Sequence, residues 1–273
     1  MYKHSELGAG TDGNGAPIPR VGRLSRSTVR SAIDLLRRQH SLADSETTFD
    51  VLRTVSQQHN VKLRVVAAAI VGPDIATQRA GNPPGPPPLT FSDCGDTATP
   101  NRTEVLRDLM RTAITDVGAD YGNIQVRDPA YGGLTIESHK GFKGDFLDFF
   151  GYVDDAGSAC GASLTEACQV VVDDVESAPV FAESERTIVL TAGVRSVVST
   201  PLVDEHGSVR GVVSTHYAQS GRAPNEKTLR TLQVQADDCA RWLSWYDRAV
   251  MPRVLAAVHA AAGETRGEVA RQR

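Results

Sequence analysis

The chain has 273 residues, and its 29 Lys and Arg against 33 Asp and Glu give a net charge of -4. Apolar residues make up 40% and charged residues 23%, which excludes a wholly disordered or collagen-like chain. The sequence has no apolar run of about 18 residues for a membrane helix, and no apolar signal core near Met1. Four cysteines are too few for a disulfide scaffold of this length. We therefore expect a cytoplasmic protein with reduced thiols and no membrane association.

The charge is distributed unevenly along the chain. Residues 20–64 contain nine basic and four acidic side chains, so this segment is +5 and the rest of the chain is -9. Such asymmetry indicates a polyanion-binding module attached to an acidic one, or a basic helix face that is merely solvated. Residues 1–20 are rich in Gly and predict a disordered tail. Residues 74–102 are rich in Pro and Gly and predict a stiff linker.

The segment before this linker, residues 21–73, predicts three short helices. Apolar residues recur at helical spacing in 29–36, 49–55 and 63–71, and Gly72-Pro73 ends the third stripe. A unit of about fifty residues buries little surface, so its stability alone would be marginal.

After the linker, residues 103–248 predict a mixed fold. A helical stretch, 105–117, comes first, and a long helix, 225–248, comes last. Between them lie strand-like runs separated by turn signals that favour antiparallel pairing, at 122–127, 134–138, 169–172, 194–202 and 209–217. Helices flanking one antiparallel sheet make an α+β domain. We expect residues 249–273 to form a helical tail.

Several ordered motifs in this second segment resemble those of a GAF domain, a small-molecule sensing fold related to PAS. They include Gly122-Asn123-Ile124-Gln125-Val126, Ser158-Ala159-Cys160-Gly161 and the run Gly211–His216, and the resemblance covers about residues 103–246. It implies a ligand pocket between one sheet face and the segment 140–192. Polar side chains on a largely apolar sheet suit such a pocket, although each could instead serve a loop or the core. The candidate pocket residues are Asn123, Gln125, Phe146, Phe149, Cys160, Ser199 and Thr215.

The first segment resembles an ANTAR domain, a three-helix RNA-binding module of transcription antitermination regulators. The resemblance covers about residues 24–71 and rests on Phe49-Asp50-Val51-Leu52-Arg53, Ser56-Gln57, Asn60 and Lys62-Leu63-Arg64. The family usually has Ala-Lys-Gly where this chain has Ala32-Ile33-Asp34. RNA binding needs cations for phosphates and exposed polar groups for loop bases, although such arginines can also only solubilise a small bundle. The candidate RNA-binding residues are Arg26, Arg30, Arg37, Arg38, Gln57, Asn60, Lys62 and Arg64.

The sequence gives no sign of a metal or a covalent cofactor. It contains neither a Cys-x-x-Cys pair nor clustered His, so we expect no cofactor and assign no metal ligand and no catalytic residue. Some GAF proteins reduce free methionine sulfoxide with cysteines. Cys160 and Cys168 leave this reductase activity as a minor alternative.

Together these features predict a bacterial, signal-responsive antitermination regulator. Its GAF domain would sense a small molecule or a partner, and its ANTAR module would bind stem-loops in leader RNA. In the alternative, the helical module docks a protein partner. A homodimer through the long helix is a further possibility, although the same apolar stripe could pack on its own sheet. The stripe consists of Leu229, Leu232, Ala236, Ala240, Leu243 and Tyr246.

Overall fold

The computed structural model describes residues 20–72, 85–92, 101–154 and 157–271. The predicted tail, apart from Arg20, and most of the predicted linker lie outside these residues. The described helices are α1 (Arg20–His40), α2 (Ser45–Gln58), α3 (Leu63–Val71), α4 (Arg102–Val117), α5 (Asp145–Phe150), α6 (Ala159–Glu166), α7 (Glu183–Thr191), α8 (Glu226–Ala249) and α9 (Met251–Arg271). The strands are β1 (Tyr121–Arg127), β2 (Leu134–Lys140), β3 (Tyr152–Val153), β4 (Val170–Val172), β5 (Ser196–Val203) and β6 (Val209–Tyr217).

Polar side chains fix where several helices begin. Asp44 accepts a hydrogen bond from the Thr47 amide ahead of α2, and Asn225 does the same for Thr228 ahead of α8. Asn101 caps α4 by accepting from two amides of its first turn. Each cap satisfies an amide that has no partner inside its helix, so the chain enters these helices at defined residues.

The strands form one antiparallel sheet in the order β3-β2-β1-β6-β5-β4. One face packs against α4 and α8 through residues such as Ile124 and Val213. The other face carries Leu134 and Val212 and is covered by α5, α6 and α7. Because side chains alternate along a strand, β1 sends Ile124 to the first face and its neighbour Gln125 to the second. The expected α+β fold with three N-terminal helices is confirmed.

The C-terminal helix α9 completes the N-terminal helical bundle. It contacts α1, α2 and α3, and its Val254 and Val258 share one continuous core with Leu36 and Leu52. The His40 and His259 rings add a polar contact of 2.9 Å between α1 and α9. Three short helices bury too little apolar surface alone, so α9 packs against them as the fourth helix of the bundle.

The apolar stripe of α8 packs inside its own chain. Leu232, Ala236, Ala240, Leu243 and Tyr246 are all buried. These residues pack in the same core as α4 and α9. The stripe that suggested a dimer therefore serves the domain's own core, through every residue except the half-buried Leu229.

The importance of α9 can be tested with a matched pair of substitutions. Val258 has no exposed surface, whereas Ala260, two residues later, is exposed. Val258→Asp places an unpaired carboxylate in the bundle core and should lower the free energy of unfolding by about 3 kcal/mol. Ala260→Asp should change it by less than about 0.5 kcal/mol. Urea unfolding measures both, and equal effects would show that α9 does not stabilise the bundle.

Candidate RNA-binding surface and ligand cavity

A β-bulge in β2 sets the direction of one acidic side chain. Ser138 pairs with Ile124 and Ile136 pairs with Gln125, so Glu137, between them, has no partner in β1. A bulge changes the direction of the extra residue and interrupts regular pairing. The Glu137 side chain is directed toward the starts of α3 and α4, where only 4% of it remains exposed.

Three cations surround this carboxylate. Lys62 Nζ lies 2.9 Å and Arg64 Nη2 2.6 Å from Oε2, and Arg102 Nη1 lies 2.8 Å from Oε1. Lys62 and Arg64 belong to the start of α3, whereas Arg102 is the first residue of α4. We call these four residues the Glu137 cluster. It joins the N-terminal helices to the sheet of the second domain.

The same two cations of α3 also bind the backbone of β2. Lys62 Nζ donates to the carbonyl oxygen of Glu137 at 2.9 Å, and Arg64 Nη2 donates to that of Ile136 at 3.2 Å. Strand β3 pairs with β2 only at Leu134 and Thr135. The two cations therefore satisfy carbonyl groups that lie beyond the end of this edge strand.

The cluster determines the ionisation of Glu137. Burial alone would raise the pKa of its carboxyl group, but the nearby Arg102, Arg64 and Lys62 outweigh burial and lower the pKa to about 2. Burial in turn lowers the pKa of Arg64, an effect that the Glu137 charge opposes. The carboxylate is thus ionised at neutral pH. Its removal would leave three partly buried cations without a counter-charge.

The structure divides the predicted RNA-binding residues into two sets. Lys62 and Arg64 are held in the Glu137 cluster. The other six are at the surface, and Asn60 adopts a left-handed conformation in the turn between α2 and α3. Within the described residues, the exposed arginines of α1 form no ion pair. The surface set is Arg26, Arg30, Arg37, Arg38, Gln57 and Asn60.

An open cleft of about 460 Å³ lies beside the Glu137 cluster, between the N-terminal helices and the second domain. Its lining includes Arg64, Arg102 and Glu137 together with the ion pair of Arg210 and Asp247. Burial raises the pKa of Asp247, and its arginine neighbours oppose that shift. The cleft gives solvent and ions a route to the cluster.

A second, much smaller cavity of about 20 Å³ lies on the opposite sheet face, against α5 and α6. Of the seven predicted pocket residues, Asn123, Gln125, Phe146, Cys160 and Ser199 line it. Phe149 and Thr215 do not line it. Phe150 lines the cavity instead of Phe149, and Thr215 faces α4 and α8 on the other side of the sheet. Other residues that line the cavity, which the motifs did not indicate, include Ser158, Ser214 and His216.

On β6, the predicted residue Thr215 lies next to the two residues that line the cavity, Ser214 and His216, for a physical reason. Nearly every residue of β6 is buried, so the usual alternation of apolar and polar residues is absent. Because side chains alternate, choosing Thr215 as the pocket residue excludes its neighbours Ser214 and His216. The pairing of Ser214 with Asn123 and with Ser199 identifies the face that lines the cavity.

Hydrogen bonds within the cavity fix its polar side chains. His216 Nε2 lies 2.7 Å from Asn123 Oδ1, and Gln125 Nε2 donates to the Phe150 carbonyl at 3.0 Å. Two buried atoms, Gln125 Oε1 and His216 Nδ1, have no partner. Burial lowers the pKa of His216 to about 3, so its imidazole is neutral at pH 7. Unpartnered buried polar atoms are rare and mark this cavity as a candidate ligand site.

The two cysteines proposed for a reductase differ in environment. Cys160 lines the cavity and lies 3.3 Å from Ser158 Oγ. Cys168 is exposed, and slight burial and the neighbouring Glu166 raise the pKa of its thiol. A raised pKa favours the thiol over the reactive thiolate.

Neither a metal centre nor a membrane segment appears in the described part of the chain. No group of three His, Cys, Asp or Glu side chains there could hold a metal ion. No helix among the same residues is both long and apolar enough to cross a bilayer.

The Glu137 cluster predicts a specific pH dependence. A carboxyl whose pKa falls from 4.5 to about 2 on folding stabilises the protein above pH 4.5 and loses that effect as the pH falls toward 2. The lost stability should be about 3 kcal/mol, and Glu137→Gln should lack this pH-dependent part. Urea unfolding of both proteins between pH 7 and pH 2 measures the difference. If the difference in the free energy of unfolding between the wild type and the variant stays constant over this pH range, the ion pairs do not stabilise the fold.

The chain is similar to two known domain families. A model of the ANTAR domain matches residues 23–71, and a model of the GAF domain matches residues 101–242. No curated protein matches the chain.

Solved structures resemble about half of the chain. A GAF domain/HD domain protein from Geobacter sulfurreducens is 17% identical with a TM-score of 0.44, covering 53% of this chain and 92% of its own. A methyl-accepting chemotaxis protein is 23% identical with a TM-score of 0.42, covering 52% and 87%. The type II free methionine-R-sulfoxide reductase from Thermoplasma acidophilum is 18% identical with a TM-score of 0.42, covering 55% and 98%.

The two matches agree with the fold: the ANTAR match covers the three N-terminal helices, and the GAF match covers the sheet with helices on both faces. The GAF match spans more than half of the chain, so the chain belongs to the GAF domain family and carries an ANTAR domain at residues 23–71.

Proposed function

We propose that this protein is a bacterial, cytoplasmic regulator of transcription antitermination. Its GAF domain senses a small molecule or partner, and its ANTAR domain binds stem-loops in leader RNA. The observation that supports this proposal most is the Glu137 cluster, because it ties Lys62 and Arg64 of the ANTAR domain to the GAF sheet.

Glu137 and RNA phosphates compete for the same cations. Lys62 donates a hydrogen bond to the carboxylate, Arg64 forms an ion pair with it, and both donate to backbone carbonyls of β2. Donors used in this way are not available to phosphate oxygens. Under this proposal, the arrangement with Lys62 and Arg64 bound to Glu137 has the lower RNA affinity, and the exposed arginines of α1 remain available to phosphate.

The cavity and the cluster lie on opposite faces of the same strand pair. Gln125 lines the cavity, and its β-sheet partner, Ile136, directly precedes Glu137. A ligand in the cavity that shifts β1 against β2 would therefore move the bulge. Such a ligand changes RNA affinity only if it binds better to the form in which Lys62 and Arg64 are released.

RNA crosslinking with sequencing, on the intact protein in its own cells, tests the RNA-binding role. Enrichment of leader stem-loops supports the proposed function and identifies the target transcripts. Recovery of no RNA contradicts it, and would favour the alternative in which the ANTAR helices dock a protein partner.

The competition itself predicts an increase in affinity when Glu137 loses its charge. Glu137→Gln should tighten binding of a recovered stem-loop by about tenfold, because two more cations can contact phosphate. The dependence of log affinity on log salt should steepen by roughly 1.5. Filter binding across a series of KCl concentrations measures both quantities.

Two controls isolate this effect. Glu104→Gln removes the same charge from an exposed position on α4 and should leave RNA affinity within about twofold. In a Lys62→Ala, Arg64→Ala background, Glu137→Gln should no longer increase affinity. An equal increase in that background would mean that Glu137 acts only through net charge.

A further inference from the structure

We infer that the cavity between β1, β6 and α5 binds a small uncharged molecule of amide type, one that donates hydrogen bonds through N–H. This inference rests on the proposed sensing role and names the chemistry of its ligand. Three properties of the cavity support it: the neutral charge of its lining, its two buried acceptors without partners, and its small volume beside a short helix that can give way.

The lining carries no charge. None of the described residues that line the cavity is Asp, Glu, Lys or Arg. His216 is neutral at physiological pH. A phosphate or a carboxylate would enter this cavity without a counter-charge, and an isolated buried ion is strongly unfavourable. The arrangement thus selects against nucleotides and zwitterionic amino acids, including free methionine sulfoxide.

Two buried polar atoms of the lining have no partner, and both are acceptors. The amide nitrogen of Gln125 donates to the Phe150 carbonyl, which leaves the buried Oε1 as an acceptor without a partner. The Asn123 oxygen accepts the proton on Nε2 of the neutral His216 ring, which leaves Nδ1 as a second acceptor. A ligand that satisfies both atoms must supply hydrogen-bond donors. A primary amide has two N–H groups for this purpose.

The cavity is small and has aromatic walls. Its volume of about 20 Å³ admits a group about the size of one or two water molecules. Phe146, Phe150 and Phe181 form the apolar part of the wall. Two of these rings belong to α5, a six-residue helix that starts without a side-chain cap. A short uncapped helix is a weakly stabilised element, so α5 can give way to a slightly larger ligand body.

Three probes of nearly equal shape test charge and donor requirement separately. Acetamide is neutral and donates two hydrogen bonds, acetate is an anion, and acetone is neutral but donates none. Each is titrated into the full chain, and NMR follows the His216 ring nitrogens. Acetamide should bind at least about tenfold more tightly than acetone, and acetate should not bind. Acetamide should also shift the Nδ1 signal, which reports a new hydrogen bond directly and needs no variant.

Two variants locate the binding. Gln125→Met retains the approximate length of the side chain but removes the acceptor, and it should weaken acetamide binding by about tenfold while leaving acetone binding unchanged. Thr215→Val is the matched control, because Thr215 is equally buried on β6 but faces α4 and α8. Circular dichroism establishes that both variants fold.

The inference is overturned if acetate binds as tightly as acetamide, if no probe shifts the His216 signals, or if Thr215→Val weakens binding as much as Gln125→Met. Each of these outcomes leaves the RNA measurements intact. If RNA is recovered from cells and its affinity changes with Glu137→Gln, but no amide binds, the regulatory role stands and this ligand class is rejected. If an amide binds but no RNA is recovered, the ligand class stands and the RNA-binding role is rejected.

Discussion

The architecture of the protein depends on one buried carboxylate shared by three cations. Glu137 is nearly inaccessible, and its charge persists only because Lys62, Arg64 and Arg102 surround it. Removing one partner of a buried ion pair is strongly unfavourable unless another counter-charge replaces it. This constraint favours the arrangement in which all three cations surround Glu137. In the proposed function, the alternative is one in which phosphates bind Lys62 and Arg64 while Arg102 keeps the carboxylate.

The GAF sheet separates two chemical environments that a single pair of strands connects. Charged groups and the ANTAR helices lie on the α4 side, whereas the opposite face holds a neutral cavity with fixed dipoles. The bulge at Glu137 and the cavity residue Gln125 are adjacent across β1 and β2. Binding at one face can therefore displace a residue on the other over a short path, from Gln125 through its partner Ile136 to the bulge.

The helix α9 explains how so small an RNA-binding module is stabilised. Val258 and its neighbours fill the core that α1, α2 and α3 leave incomplete. Because α9 follows α8 directly, it also joins the bundle to the GAF domain. The two domains are thus connected at one point by apolar packing and at another by charge, and it is the second connection that the proposed RNA binding would break.

The sequence alone determined the helices and strands wherever one face was apolar and the other polar. It predicted a strand at 122–127 that the structure has at Tyr121–Arg127, and a helix at 225–248 that the structure has at Glu226–Ala249. It also placed Asn123 and Gln125 on one face of β1, since alternation holds along any strand. Motif order was enough to recognise both families.

Tertiary structure alone decided the register of β6, the role of α9 and the cluster around Glu137. On a fully buried strand the two faces look alike in sequence, so only pairing with β1 separates Thr215 from His216. Lys62 and Glu137 lie 75 residues apart, and a one-residue bulge brings them together. Local periodicity contains no information about such a contact, because it arises from the packing of one domain on another.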